Sequence, residues 1–130
     1  MSRAELHSGD AERLRAFERR GHDALAASYH SFFAAVTALA NKPLFEAVHL
    51  RRGMHLLDVA TGPGTLAAEA ADQGVRAVGA DLSPRMIEMA RQSYPHIDFR
   101  EADVEQLPFA DCTFDAVVCA FGLGHFPRPE

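Results

Sequence analysis

Three aspartates in this sequence stand where a single ligand could use them all. Asp58 leads into a glycine turn, Ala60-Thr61-Gly62-Pro63-Gly64. Asp81 comes 19 positions after Gly62, and Asp103 follows with Val104 beside it. The two glycines let the backbone turn tightly and approach a bound group closely. A helix starting at Thr65 would point free N–H groups at an anion. A carboxylate at position 81 can accept from both hydroxyls of a ribose. A carboxylate at position 103 can accept from the exocyclic amine of adenine, while the Val104 N–H donates to a ring nitrogen. Each feature alone has a plainer reading: a strand–helix turn, a turn aspartate ahead of Ser83-Pro84, a capping aspartate. Occurring together and in this order, they point to an adenosine-containing ligand.

The turn and Asp81 also fit a dinucleotide site, since Gly62-Pro63-Gly64-Thr65-Leu66-Ala67 matches GxGxxA. Asp58 weighs against it. A pyrophosphate lies over this turn in dinucleotide binders, and a neighbouring carboxylate repels it. The same carboxylate suits an ammonium group, with an α-carboxylate at the helix start.

Positioning these groups takes strands that alternate with helices. Met54–Ala60 reads as a buried strand and Thr65–Gln73 as a helix, with Gly74 as its C-terminal cap. Val75–Ala80 reads as a second strand. Ser83 is an N-cap with Pro84 at N1, and that helix runs to about Ser93. His96–Glu101 and Phe114–Leu123 read as third and fourth strands. The alternation predicts right-handed βαβ units, a parallel sheet, and ligands beyond the carboxyl ends of the strands. Before them, Leu14, Phe17, Leu25, Phe32, Val36 and Leu39 recur at near-helical spacing from Ala11 to Ala40, with a break expected at Gly21. A short helix follows from Pro43 to about Leu50. The two crossover helices are expected on one sheet face and the N-terminal helices over the other.

These segments carry a resemblance. Leu56-Leu57-Asp58-Val59-Ala60-Thr61-Gly62-Pro63-Gly64 resembles the first motif of class I S-adenosylmethionine-dependent methyltransferases. Gly79 to Ala90 (GADLSPRMIEMA) resembles the segment that follows. Asp103-Val104-Glu105-Gln106-Leu107-Pro108-Phe109 with Phe114-Asp115-Ala116-Val117-Val118 resembles the third block. The similarity runs from about Leu44 to Pro129 and is closest to the small-molecule and quinone methyltransferases. It implies a Rossmann-like α/β fold with strand order 3-2-1-4, an N-terminal helical cap over residues 1–42 and a partial cofactor-binding core over 43–130. It implies S-adenosyl-L-methionine as cofactor and a small-molecule methyl acceptor. Asp58, Ala60, Gly62 and Gly64 would hold the methionine end, Asp81 the ribose, Leu82 the adenine face, and Asp103 with Val104 the adenine edge. Ala60 departs from the family's usual glycine.

The remaining readings set bounds. The chain has 130 residues and a formal charge of -5, which disfavours a nucleic-acid binder relying on a basic footprint. Cys112 and Cys119 read as free thiols of a reducing compartment. No secretory leader or membrane span is visible, so a cytoplasmic protein is expected; no metal site is assigned. No general base is assigned. His125 and Tyr29 are the residues nearest that role, read first as a loop histidine and a packing residue. Cys119 reads as a small buried hydrophobe, and Arg51 and Arg52 as solvated helix-end charges. The family's sheet has seven strands and four are counted here. The final strand is apolar on both faces, a pattern of sheet interiors. The expectation is a cofactor-binding half, a non-catalytic remnant, or a chain that self-associates through an exposed fourth strand. A nicotinamide-dependent oxidoreductase domain is the other alternative.

Overall fold

The computed structural model describes residues 8–32 and 34–128. The side chains of residues 25–34, including Leu25, Tyr29 and Phe32, lie outside the described residues. Three helices lead the chain: α1 (Ser8–Phe32), α2 (Ala34–Ala38) and α3 (Asn41–Ala47). There follow β1 (His55–Val59), α4 (Thr65–Asp72), β2 (Arg76–Asp81), α5 (Pro84–Ser93), β3 (Asp98–Glu101) and β4 (Ala116–Val118). The four strands form one parallel sheet, as the alternation predicts, in the order β3-β2-β1-β4 that the family resemblance implies.

The local signals explain the element ends. Ser83 accepts from the Met86 N–H at 3.2 Å, and Pro84 sits at the first turn of α5, filling a position that needs no donor. Past the end of α4, Gly74 takes φ +81°, the left-handed geometry of a helix stop. Its carbonyl accepts from the Gly53 N–H at 2.9 Å, tying the approach to β1 to the approach to β2.

Each sheet face has its own core. Leu56 and Val118 pack with Phe45, Leu66, Ala70 and Val75 under α3 and α4. Next to them, Ala67, Ala68, Ile87, Ala90, Ile97 and Phe99 fill the space between α4, α5 and β3. On the opposite face, Leu57, Val59, Val78 and Ala80 are covered by connecting-segment residues, among them Val104, Leu107, Phe109, Phe114 and Phe126.

The N-terminal helices therefore do not cover that second face. α1 packs along α5, and α2 and α3 pack on α4. Asp23 anchors α1: its Oδ1 accepts from the Ser83 hydroxyl and, at 3.3 Å, from the Arg85 N–H. Nor does Gly21 break α1, which runs through it. One glycine costs a helix only about 1 kcal/mol, and contacts from Arg15 and Asp23 hold α1 on either side of it. Phe17, Val36 and Leu39 were expected on a buried face and are exposed. Among the described residues of α1, Arg15, Glu18 and His22 face the polar rim.

Three strands are shorter than their sequence suggests: β1 loses one residue at each end of the expected Met54–Ala60. β3 begins at Asp98, two residues after the expected His96. The last strand is three residues long, and its ladder with β1 ends where Val118 pairs Asp58. It is not enclosed on both faces: Val118 is buried, whereas Val117 is 55 % exposed.

Candidate functional site

One row of the sheet sets the geometry. Val118, Asp58, Gly79 and Phe99 stand in register across β4, β1, β2 and β3. The missing side chain of Gly79 leaves room for the Phe99 ring, since a Cβ there would lie 2.5 Å from the Phe99 Cδ1 and 2.7 Å from the Thr61 Oγ1. The same ring lies under the glycine turn, 2.6 Å from where a Gly64 Cβ would be. Gly64 is at φ +86° and caps α4, leaving the first N–H groups of that helix open. Glycine is required at both positions by space, and at Gly64 also by backbone. Phe99 went unnoticed in the sequence; an isolated glycine inside a strand was the available signal.

Asp58 is buried and accepts from the Thr61 hydroxyl at 2.7 Å. Burial pushes its carboxyl up to about 7. The Thr61 hydrogen bond holds it back and the Asp81 charge adds to the rise. Asp81, also buried, accepts from the Gly62 N–H at 2.8 Å and the Ser83 N–H at 2.9 Å. Burial raises its pKa as well, against the pull of those two donors. Each oxygen retains a lone pair for a ligand hydroxyl.

Asp103 caps the 3-10 turn Val104–Gln106 by accepting from the Glu105 N–H at 3.0 Å. Its other oxygen is 2.6 Å from the Arg15 Nε, a charge contact without hydrogen-bond alignment. Arg15 also bonds Glu105. The hydrogen bonds from Arg128 lower the Glu105 pKa against the opposing effect of burial, with help from the charges of Arg128 and Arg15.

The predicted residues fall along the carboxyl rim of the sheet. Ala60, Asp81, Leu82, Asp103 and Val104 line one cleft. Asp58 lines a smaller adjoining space with Ala60, Thr61 and Thr65, and Gly62 lines a third with Ala60 and Asp81. Ala60 is common to all three. It adopts φ +56°, so its departure from glycine bears on the backbone more than on crowding: an L-residue in this region is strained by about 1–2 kcal/mol.

A helical cap was expected from the family resemblance, but not the residues that line the cleft from it. Arg15, Glu18 and His22 line the cleft from α1. Their spacing of three and four places them on one helix face, and that was the available signal. His125, on the 3-10 turn Leu123–His125, closes the cleft from the other side and bonds Glu18 at 2.9 Å. Cys119 packs half-buried against the cluster of Leu57, Val59, Val78 and Ala80, with its thiol pKa raised by burial. Both cysteines are free, and Arg51 and Arg52 are exposed.

A parallel sheet in this order, with an acid at or just beyond the end of three successive strands, defines a Rossmann-like domain with a polar rim at its ligand-binding edge. Residues 56–130 match the methyltransferase domain family, and the chain belongs to it. Similar proteins include the demethylmenaquinone methyltransferase of Chlorobaculum parvum, 44% identical over 89 residues, which are 68% of this chain and 37% of that protein. The enzyme of the same name from Deinococcus radiodurans is 42% identical over 72% of this chain and 37% of its own length. The chain thus spans little more than a third of these relatives. Among solved structures, a TehB-like SAM-dependent methyltransferase from Corynebacterium glutamicum superposes with a TM-score of 0.63 at 27% identity, over 78% of this chain and 57% of that one. The 1,6-didemethyltoxoflavin-N1-methyltransferase of Burkholderia thailandensis, solved with S-adenosylhomocysteine, shares the fold at TM-score 0.71 and 21% identity, over 95% and 54%.

Proposed function

We propose that this chain is the cofactor-binding half of an enzyme that transfers a methyl group from S-adenosyl-L-methionine to a small-molecule acceptor. The observation that carries this reading is the succession of Asp58, Asp81 and Asp103 along one rim, joined by the glycine turn. The family and the quinone methyltransferase relatives support it.

In this reading Asp81, held by the Gly62 and Ser83 N–H groups, receives the ribose hydroxyls. Leu82 lies against the adenine. Asp103 and Val104 take its edge, and the adenine amine shares the Asp103 carboxylate with Arg15. The open start of α4 faces the α-carboxylate, and Asp58 the ammonium group. The cofactor, when bound, supplies an activated methyl group; the chain's residues supply position and orientation.

We assign residues 1–42 to a helical cap and 43–130 to the partial core. Among the described residues no helix is long and apolar enough to cross a membrane, and we place the protein in the cytoplasm. Self-association through β4 is part of the proposal. It rests on the exposed Val117 at the sheet edge, and sedimentation of Val117→Lys against the parent chain tests it. Thermal melting with S-adenosylhomocysteine and with NAD tests the cofactor. A ligand at 100 times its Kd adds about 2.7 kcal/mol. Stabilisation by NAD alone favours the oxidoreductase reading, and no shift with either favours the non-catalytic remnant.

A further inference from the structure

Glu18, His22 and His125 form a cluster that the proposed methyl transfer does not use. Glu18 and His22 stand four residues apart on α1, which stacks them on one face. His125 reaches them from the turn after β4, where its N–H is tied to the Gly122 carbonyl at 3.0 Å. The Glu18 Oε2 lies 2.9 Å from the His125 Nδ1 and 3.5 Å from the His22 Nε2. One ligating atom from each residue falls within 4.8 Å of the other two. The imidazole rings meet edge to face with centroids 5.1 Å apart, so they converge on Glu18 instead of stacking away from it.

We infer that Glu18, His22 and His125 bind a divalent transition-metal ion of the zinc class. Two neutral imidazoles and one carboxylate are a recurrent donor set for such ions. Metal–ligand bonds of roughly 2.0–2.2 Å in a tetrahedron set neighbouring donors roughly 3.3–3.5 Å apart, and the spacings here bracket that value. Glu18 is largely shielded, whereas His125 is half exposed. The open side leaves the fourth position to water or an exchangeable ligand. Arg15, one turn earlier on α1, is engaged by Asp103 and Glu105 and does not neutralise Glu18. Asp81 adds a negative field on the His22 side. The ion would join α1 to the segment after β4 across the mouth of the cleft. This inference stands independently of methyl transfer, because binding of the metal alone reads it.

The test is titration of the tag-free, chelator-treated 130-residue chain with Co²⁺, followed by its visible d–d bands, and with Zn²⁺ as competitor. The expected result is one saturable Co²⁺ per chain, displaced by Zn²⁺. Affinity should fall at least about tenfold in His22→Gln and in His125→Gln, while His96→Gln, exposed and outside the cluster, changes nothing. Zn²⁺ should also raise the Tm of the parent chain and not that of the double His variant. Folding of each variant is checked by circular dichroism, and Glu18→Gln provides a third independent loss. Absence of a saturable spectrum, or binding unaffected by both His variants, overturns the inference and leaves a histidine–glutamate hydrogen-bond cluster.

Discussion

The Asp81 carboxylate, at the end of β2, accepts the Gly62 N–H at 2.8 Å and so ties that strand to the turn after β1. A second bond, from Ser83, fixes its other oxygen. The carboxylate is thus aimed before any ligand arrives, and preorganisation of this kind limits the ordering cost of binding. Asp81→Asn presents an N–H to one of these backbone donors and removes a charged acceptor from the ribose. Hydrogen bonds to charged groups are worth about 1.5–3 kcal/mol. Affinity for S-adenosylhomocysteine should fall at least about tenfold by calorimetry, with the chain still folded.

Asp58 gives a pH dependence. Its carboxyl is raised from 3.8 to about 7 in the folded chain, burial being the main cause. Between those values the folded chain binds more protons than the unfolded one, so stability falls as pH rises through that window. Asp58→Asn should flatten this slope in thermal melts. An ammonium group beside Asp58 favours its ionised form, so cofactor binding should release a proton near pH 7. Calorimetry in buffers of different ionisation enthalpy detects that release, and Asp58→Asn should abolish it.

Gly79 leaves the space that Phe99 fills. A methyl group there meets the ring at 2.5 Å and Thr61 at 2.7 Å. Overpacking of this kind costs about 1–3 kcal/mol. Gly79→Ala should lower the unfolding free energy read from denaturant titration by that amount, and adding Phe99→Leu should recover part of the loss.

Ala60 carries backbone strain at φ +56°. Glycine relieves about 1–2 kcal/mol and returns about 0.5–1 kcal/mol of chain entropy to the unfolded state. Ala60→Gly should therefore raise the Tm by a few degrees. An unchanged or lower Tm would show that the alanine methyl packs usefully at the junction of the three spaces.

Much of this architecture was legible. The parallel sheet follows from alternation and handedness, its strand order from the family resemblance; Ser83 and Gly74 act as the caps their types suggest, and the three aspartates lie on the rim. What was hidden depends on partners distant in sequence. The apolar spacing of Phe17 suggested a buried face, yet α1 turns Arg15, Glu18 and His22 inward because Asp103, Glu105 and His125 await them. β4 looked long because Asp115 is followed by an apolar run. In fact the Asp115 carboxylate accepts the His55 N–H at 2.7 Å at one end, and Phe121 adopts φ +64° beyond the other. Neither constraint has a pattern in one dimension.

The central claim is that three strand ends grip one ligand. Backbone amide NMR of the ¹⁵N-labelled chain during titration with S-adenosylhomocysteine tests it directly. The account predicts that Asp58 to Gly64, Asp81 with Leu82, and Asp103 with Val104 shift together along a single binding curve. Shifts confined to one of these segments, or none at saturating ligand, would contradict it.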